Sequence, residues 1–329
     1  MVWIQFLISS LIIVFAATKL AEYGDIISVR TGLGGMFIGV ILMAGATSLP
    51  EVLTTVNSIQ AGIPDLAAGN IFGSNMFNMF LLGVIDLLNR RERILRQVIR
   101  RHTLSGSIAA MLIAATAFFI VADIDVQIGW VGLDSLVILA MYLVGIHLLR
   151  TDSLSASGGE SAPPEIDADM PPLSHALIGF AAASLLLVIV MPYLVSSSSE
   201  IAEITGLGTG FVGTALVGIV TSLPELVTTI AAVRLGVYDL ALGNLFGSNM
   251  FNIFTAGLAD LFMTDGRFLS VISPGFLLVC LLGLIMTMMG VIGNQAKIEK
   301  RFFFIEIDAV LLILVYIGGL FLIYARGLN

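Results

Sequence analysis

Thr-Ser-Leu-Pro-Glu occupies residues 47–51 and returns unchanged at 221–225. Each copy is followed by a longer string, Gly-Asn-Ile-Phe-Gly-Ser-Asn-Met-Phe-Asn at 69–78 and Gly-Asn-Leu-Phe-Gly-Ser-Asn-Met-Phe-Asn at 243–252. Both pairs lie in apolar stretches long enough to cross a membrane. A glutamate, a helix-breaking proline and small oxygen-bearing side chains are costly against lipid. Their recurrence at matched spacing marks positions that bind something polar. The pattern is that of one ion site made from two halves.

Outward from these strings the chain is 58% hydrophobic and 12% charged, too little charge to cover a soluble domain of 329 residues. Ten apolar runs predict ten transmembrane helices, at roughly 3–21, 34–60, 65–88, 103–121, 128–149, 173–196, 206–233, 239–263, 271–293 and 303–325. The fold class is all-α and polytopic. The first run lacks a basic region before its apolar core and a small-residue cleavage site, and reads as a helix rather than a signal peptide. The sole cysteine, Cys280, lies inside an apolar run and reads as a buried thiol.

Pro224 follows Pro50 by 174 positions (224 − 50), and the same offset matches about half of the residues between Phe37 and Leu87. It also pairs Asp134 with Asp308, Tyr142 with Tyr316 and Gly145 with Gly319. The chain divides into residues 1–150 and 173–329, five helices each, with related segments at about 36–88 and 210–262. Residues 151–172, rich in Ser, Gly, Pro and acids, read as a cytoplasmic linker.

Charge sets the orientation. The dense basic run of Arg90, Arg91, Arg93, Arg96, Arg100 and Arg101 is placed in the cytoplasm, and Lys297 and Lys300 fall on the same side. Arg267 and Arg326 fall outside, as do Asp123 and Asp125. Both termini come out external, in an integral protein of the cell (plasma) membrane. An odd number of helices per half inserts the second half upside down relative to the first. Inverted repeats with broken helices place a site at the midplane between them.

Pro50 has no N–H for the carbonyl of Ala46, so backbone oxygens near residues 44–47 are expected to face a cavity. Thr47, Glu51, Thr54 and Thr55 are linked by helical spacings of three and four. No Lys or Arg lies in any predicted core near Glu51, which leaves a cation as its partner. Asn70, Ser74 and Asn78 recur every four residues as a polar stripe, and Gly69 and Gly73 allow a neighbouring helix close. The second half repeats the set with Thr221, Glu225, Asn244, Ser248 and Asn252. Carboxylate, hydroxyl, amide and carbonyl oxygens suit Ca²⁺ or Na⁺ and lack the thiolates and imidazoles of soft-metal sites. Asp134 and Asp308, at helix starts, read as caps or structural hydrogen-bonding groups, and Asp86 and Asp260, at helix ends, as solvated.

These duplicated strings resemble the two α-repeats of the cation/calcium antiporter superfamily, closest to its sodium/calcium exchanger branch. The resemblance covers all ten predicted helices. It implies Na⁺/Ca²⁺ antiport by alternating access, with helices one and six sliding across a core that holds the ions. It implies that Glu51 and Glu225, with the main-chain carbonyls of Thr47 and Thr221, bind calcium. Ser48, Ser74, Ser222 and Ser248, with the carbonyls of Ala44 and Gly218, would form flanking sodium sites, and Asn78 and Asn252 would line the centre. Some relatives carry aspartate at either asparagine position, and potassium-dependent relatives are among those with an extra carboxylate. Two asparagines leave two formal charges here.

With both glutamates ionised, one Ca²⁺ or two protons neutralise the site and three Na⁺ leave it at +1. Three-for-one exchange would thus move one charge, coupled to voltage by about 2.3 kcal/mol per 100 mV. Side-chain inventory alone leaves proton coupling, or another divalent cation, open. A channel would use rings of like groups around an oligomer axis, whereas these halves pair within one chain. An intramembrane enzyme is disfavoured, because neither His-Glu-x-x-His nor Gly-x-Gly-Asp occurs. The expected partners are Ca²⁺, Na⁺ and the bilayer, with no cofactor and no nucleic acid.

Overall fold

The computed structural model describes residues 1–31, 44–88, 99–156, 170–234, 238–264, 266–295, 301–302 and 305–327. Arg90, Arg91, Arg93, Arg96, Lys297, Lys300, most of the linker and the first part of the expected 34–60 helix lie outside the described residues. The remainder is helical apart from loops and two very short hairpins. Seven described helices are long and apolar enough to cross a membrane. The expected helix at 271–293 appears as a shorter apolar helix, Phe276–Ile292.

The first half comprises α1 (Val2–Thr31), α2 (Leu49–Gln60), α3 (Pro64–Leu88), α4 (Ile99–Ala122) and α5 (Leu133–Ala156). A hairpin of β1 (Gln127–Ile128) and β2 (Val131–Gly132) precedes α5. The second half opens with α6 (Leu173–Thr205), then α7 (Thr209–Val212), a π-helical turn (Gly213–Val217), α8 (Gly218–Thr221) and α9 (Leu223–Arg234). It continues with α10 (Tyr238–Leu258), a 3₁₀ turn (Ala259–Phe262), α11 (Phe268–Val271), α12 (Phe276–Gln295), the hairpin of β3 (Arg301–Phe302) and β4 (Ile305–Glu306), and α13 (Ile307–Arg326). The 174-residue offset carries α2 onto α9 at both ends, the starts of α3 and α5 onto those of α10 and α13, and β1–β2 onto β3–β4.

Packing interleaves the halves. Tyr142 of α5 lies against Phe251 and Phe254 of α10, while Tyr316 of α13 lies against Phe77 and Phe80 of α3. Each contact maps onto the other by the same offset with the halves exchanged. Such reciprocity is what a two-fold axis between the halves produces. The larger apolar cluster runs through α3, α4, α5, α10, α12 and α13. A second cluster joins α1 to α6, which pack along one another and rest on α9 and α2.

Both of these long helices overrun the expected 3–21 and 173–196, reaching 30 and 33 residues. Hydropathy falls after Ala21 and again at Ser196–Ser199, but the backbone remains helical. In α6 the buried Ser197 and Ser198 hydroxyls donate to the carbonyls of Tyr193 and Leu194, hiding their polarity inside the helix. That helix ends at Gly206, whose left-handed φ of 67° suits a residue without a Cβ.

Backbone meets backbone where α3 crosses α7 and the π turn. A Cβ on Gly69 would lie 2.5 Å from the Gly210 carbonyl oxygen, and one on Gly73 would lie 2.6 Å from that of Thr214. The expected close approach at both glycines is present. It seats α3 directly against the segment leading to the second Thr-Ser-Leu-Pro-Glu string.

Candidate ion-binding site

Each string bends its helix at a single residue. Ser48 has φ −89° and ψ 8°, Ser222 has φ −90° and ψ 5°, and a proline follows two positions later in each case. The break is narrower than the prolines alone suggest. The Ser48 N–H donates to the Ala44 carbonyl at 2.9 Å, and the Ser222 N–H to the Gly218 carbonyl at 3.3 Å. Both carbonyls are therefore engaged, and that of Ala44 also accepts the Thr47 hydroxyl at 3.2 Å. Gly218 also faces the Ser74 and Thr221 hydroxyls at 3.3 and 3.4 Å.

All twelve residues singled out from the sequence are buried. Thr47, Ser48, Glu51, Ser74, Asn78, Thr221, Ser222, Glu225, Ser248 and Asn252 have 0% exposure. The structure brings them together across the halves. The Ser48 hydroxyl donates to Glu225 Oε1 at 2.8 Å, and the Ser222 hydroxyl to Glu51 Oε1 at 3.2 Å. Thr221 Oγ1 donates to Asn70 Oδ1 at 2.9 Å, with a longer counterpart from Thr47 to Asn244 at 3.4 Å. Each carboxylate is thus held by the opposite half.

The two sides differ at the serine that follows each Gly-Asn-x-Phe-Gly. Ser248 donates to Glu225 Oε1 at 3.3 Å, whereas Ser74 turns toward Gly218 and Thr221. Glu225 accordingly accepts two hydroxyls on one oxygen and Glu51 accepts one.

Asn70 and Asn244 serve the scaffold. Their amide groups donate to the Glu51 and Glu225 carbonyls at 3.3 and 3.4 Å, and Asn244 also reaches Thr228 and Thr229. Asn75 and Asn249, absent from the sequence reading, bond Asn252 and Asn78 across the halves at 3.0 Å. They fall off the every-fourth-residue stripe, which is why periodicity passes over them. Their recurrence at the 174 offset was the available signal.

Among the residues singled out from the sequence, four fully buried oxygens make no hydrogen bond with the described residues: Glu51 Oε2, Glu225 Oε2, Asn78 Oδ1 and Asn252 Oδ1. A buried acceptor left unpaired costs roughly 1–3 kcal/mol, and more when charged. Two carboxylate and two amide oxygens, contributed equally by the halves, are donors of the hard type that Ca²⁺ and Na⁺ take. No group of three or more His, Cys, Asp or Glu side chains able to hold a metal occurs among the described residues. His147 and His175 are exposed, and Cys280 is a buried free thiol.

The acids at helix ends depart from expectation. Asp260 is buried, not solvated, with its carboxylate accepting the N–H groups of Gly132 at 2.8 Å and Phe268 at 2.6 Å. Asp86 is buried as well. Asp134 is structural, as its helix-start position suggests: it accepts the Ser135 N–H and pairs with Arg267 at 3.2 Å. Loop amides brought back over the end of α10 replace the water that a helix end otherwise meets.

A helical membrane protein with an oxygen-lined site shared by two like halves belongs among the secondary transporters. The family described as sodium/calcium exchanger protein matches residues 1–149 and 175–325, and this chain belongs to that family. It is a membrane cation antiporter, not an enzyme. Among relatives, it is 28% identical over 307 residues to the sodium/calcium exchanger MaX1 of Methanosarcina acetivorans, covering 80% of this chain and 84% of that protein. It is also 28% identical over 257 residues to the inner membrane protein YrbG of Escherichia coli, covering 75% of each chain. The fold is shared with the solved structure of YfkE at a TM-score of 0.69 and 16% identity, covering 97% of this chain and 92% of that one. The sodium-calcium exchanger NCX_Mj, soaked with Na⁺ and Sr²⁺, superposes at a TM-score of 0.62 and 23% identity, covering 97% and 98%.

Proposed function

We propose that this protein exchanges Na⁺ for Ca²⁺ by alternating access at one central site. The observation that carries the reading is the set of four unpaired, fully buried oxygens on Glu51, Glu225, Asn78 and Asn252. In this reading the two glutamates and the main-chain carbonyls of Thr47 and Thr221 take Ca²⁺, with the asparagine oxygens lining the centre. Ser48, Ser74, Ser222 and Ser248 flank it as sodium positions with the carbonyls of Ala44 and Gly218. The relatives, a sodium/calcium exchanger among them, support this choice of ions. The two halves, 1–150 and 173–329, sit in the cell membrane joined by a cytoplasmic linker at 151–172, with both termini external.

With two carboxylates, the site is neutral with Ca²⁺ and has one excess positive charge with three Na⁺. Because the two loads share ligands, an empty site leaves both acids buried without a counter-charge. Obligate exchange follows from that cost. The decisive measurement is Ca²⁺ uptake into proteoliposomes with Na⁺, H⁺ and voltage gradients imposed separately. An outward Na⁺ gradient drives uptake, an interior-positive voltage accelerates it because one net positive charge leaves per Ca²⁺ taken up, and Glu51→Gln abolishes it. Uptake driven by a proton gradient and indifferent to voltage would replace Na⁺ with H⁺ as the coupling ion. Uptake unchanged in Glu51→Gln would overturn the site itself.

A further inference from the structure

An asparagine at the centre of a cation site poses a problem of polarity. Its amide has an oxygen on one side and an NH₂ of nearly the same shape on the other, and only the oxygen attracts a cation. Something must decide which faces inward. In this protein the NH₂ ends are tied. Asn78 Nδ2 donates to Asn249 Oδ1 at 3.0 Å, and Asn252 Nδ2 donates to Asn75 Oδ1 at 3.0 Å. Asn249 is itself oriented, because its Nδ2 donates to the Asn75 main-chain carbonyl at 3.4 Å. All four side chains are almost wholly buried, so no water competes for these bonds.

From this crossed arrangement we infer that Asn75 and Asn249 are positioning residues, which lock the amides of Asn252 and Asn78 so that oxygen faces the transported cation. The inference rests on the site proposed above. It makes selectivity for a cation depend on two side chains that need not touch it. Each half supplies the partner for the other, and the Asn249 arm is the better anchored, since Asn75 Nδ2 makes no hydrogen bond with the described residues. Loss of a lock frees the amide to rotate and present NH₂, which repels the ion while leaving the volume of the site almost unchanged.

A merely structural clamp between α3 and α10 makes a different prediction, and a double-mutant cycle separates the two. Purified protein in detergent is titrated with radiolabelled Ca²⁺, using wild type, Asn249→Ala, Asn78→Ala and the double variant. Thermal unfolding without Ca²⁺ is followed in parallel. If Asn249 acts through Asn78, Asn249→Ala weakens Ca²⁺ binding about tenfold, the scale of one buried hydrogen bond. In the Asn78→Ala background the same change then has no further effect. Losses that multiply in the double variant, or unaltered Ca²⁺ affinity in Asn249→Ala, would overturn the lock. The same cycle on Asn75 and Asn252 reads the opposite arm, and serves if Asn249→Ala does not fold. Failure of the wild type to bind Ca²⁺ would instead overturn the ion assignment, a result distinct from additivity in a protein that binds.

Discussion

Ser48 and Ser222 each sit two residues before a proline, where the helix bends, yet each hydroxyl serves the glutamate of the other half. In the proposed reading these hydroxyls turn from the carboxylates to Na⁺ when it binds. A sodium ligand lost at one serine therefore affects Na⁺ more than Ca²⁺. Ser48→Ala and Ser222→Ala are expected to raise the Na⁺ concentration for half-maximal exchange by about tenfold, the loss expected for one charge-assisted contact. Initial uptake rates across a Na⁺ series and a Ca²⁺ series measure this. Equal losses for both ions would count against separate sodium positions. Much at this scale was legible beforehand, because Glu51 and Glu225 are improbable in lipid and their strings repeat. Asn75 was legible only through its recurrence as Asn249. Its role depends on facing Asn252, which stands 177 residues away. Nothing local distinguishes it from a packing residue.

At the scale of the element, the contact that places the second string is backbone against backbone. Gly69 and Gly73 of α3 leave no room for a methyl group beside Gly210 and Thr214. A side chain cannot rotate out of such a clash, so α3 or the π turn has to shift. Gly69→Ala is expected to lower stability by about 1–3 kcal/mol, the usual cost of overpacking. Gly318→Ala, with nothing within 4 Å of the added carbon, is the neutral control. Thermal unfolding in detergent compares the two, and an unchanged melting temperature in Gly69→Ala would refute the close packing. Glycine spacing made this crossing legible. The lengths of α1 and α6 were not, since hydropathy measures preference for lipid while the helix is held by its own hydrogen bonds. The π turn at Gly213–Val217 likewise leaves no periodic mark in an already apolar stretch.

Across the whole molecule, one arginine ties several loops together at one end. Arg267 is 4% exposed and meets Asp123 at 2.5 Å, Asp134 at 3.2 Å and Asp125 at 3.6 Å. Burial works to lower its pKa, but the Asp123 hydrogen bond and the charges of Asp134, Asp123 and Asp125 hold it above the ordinary arginine value. The guanidinium stays charged at any working pH. Asp123 and Asp125 are largely exposed and contribute little, leaving the pair with buried Asp134 as the main contact. Arg267→Met removes the counter-charge from that carboxylate. It is expected to cost about 3 kcal/mol, recovered in part by Asp134→Asn in the same chain. Melting temperatures of the two single variants and the double variant test this, and a double variant no better than Arg267→Met would sink the pairing. Charge distribution had placed Arg267, Asp123 and Asp125 on the same side of the membrane, and their contact agrees. The burial of Arg267 beside Asp134 was hidden, because it depends on loops folding back over helix ends.

The crossed serines also have a consequence in time. Synthesis runs from the N-terminus, and Glu51 enters the bilayer long before its hydroxyl partner Ser222, 171 residues later, has been translated. Through that interval the first half carries an acid whose partner in the finished site does not yet exist. Glu225 arrives to find Ser48 already waiting. Of the two glutamates only the earlier one has to wait for its partner, and a ribosome stalled between the halves leaves a membrane-embedded carboxylate exposed to whatever inspects unfinished chains.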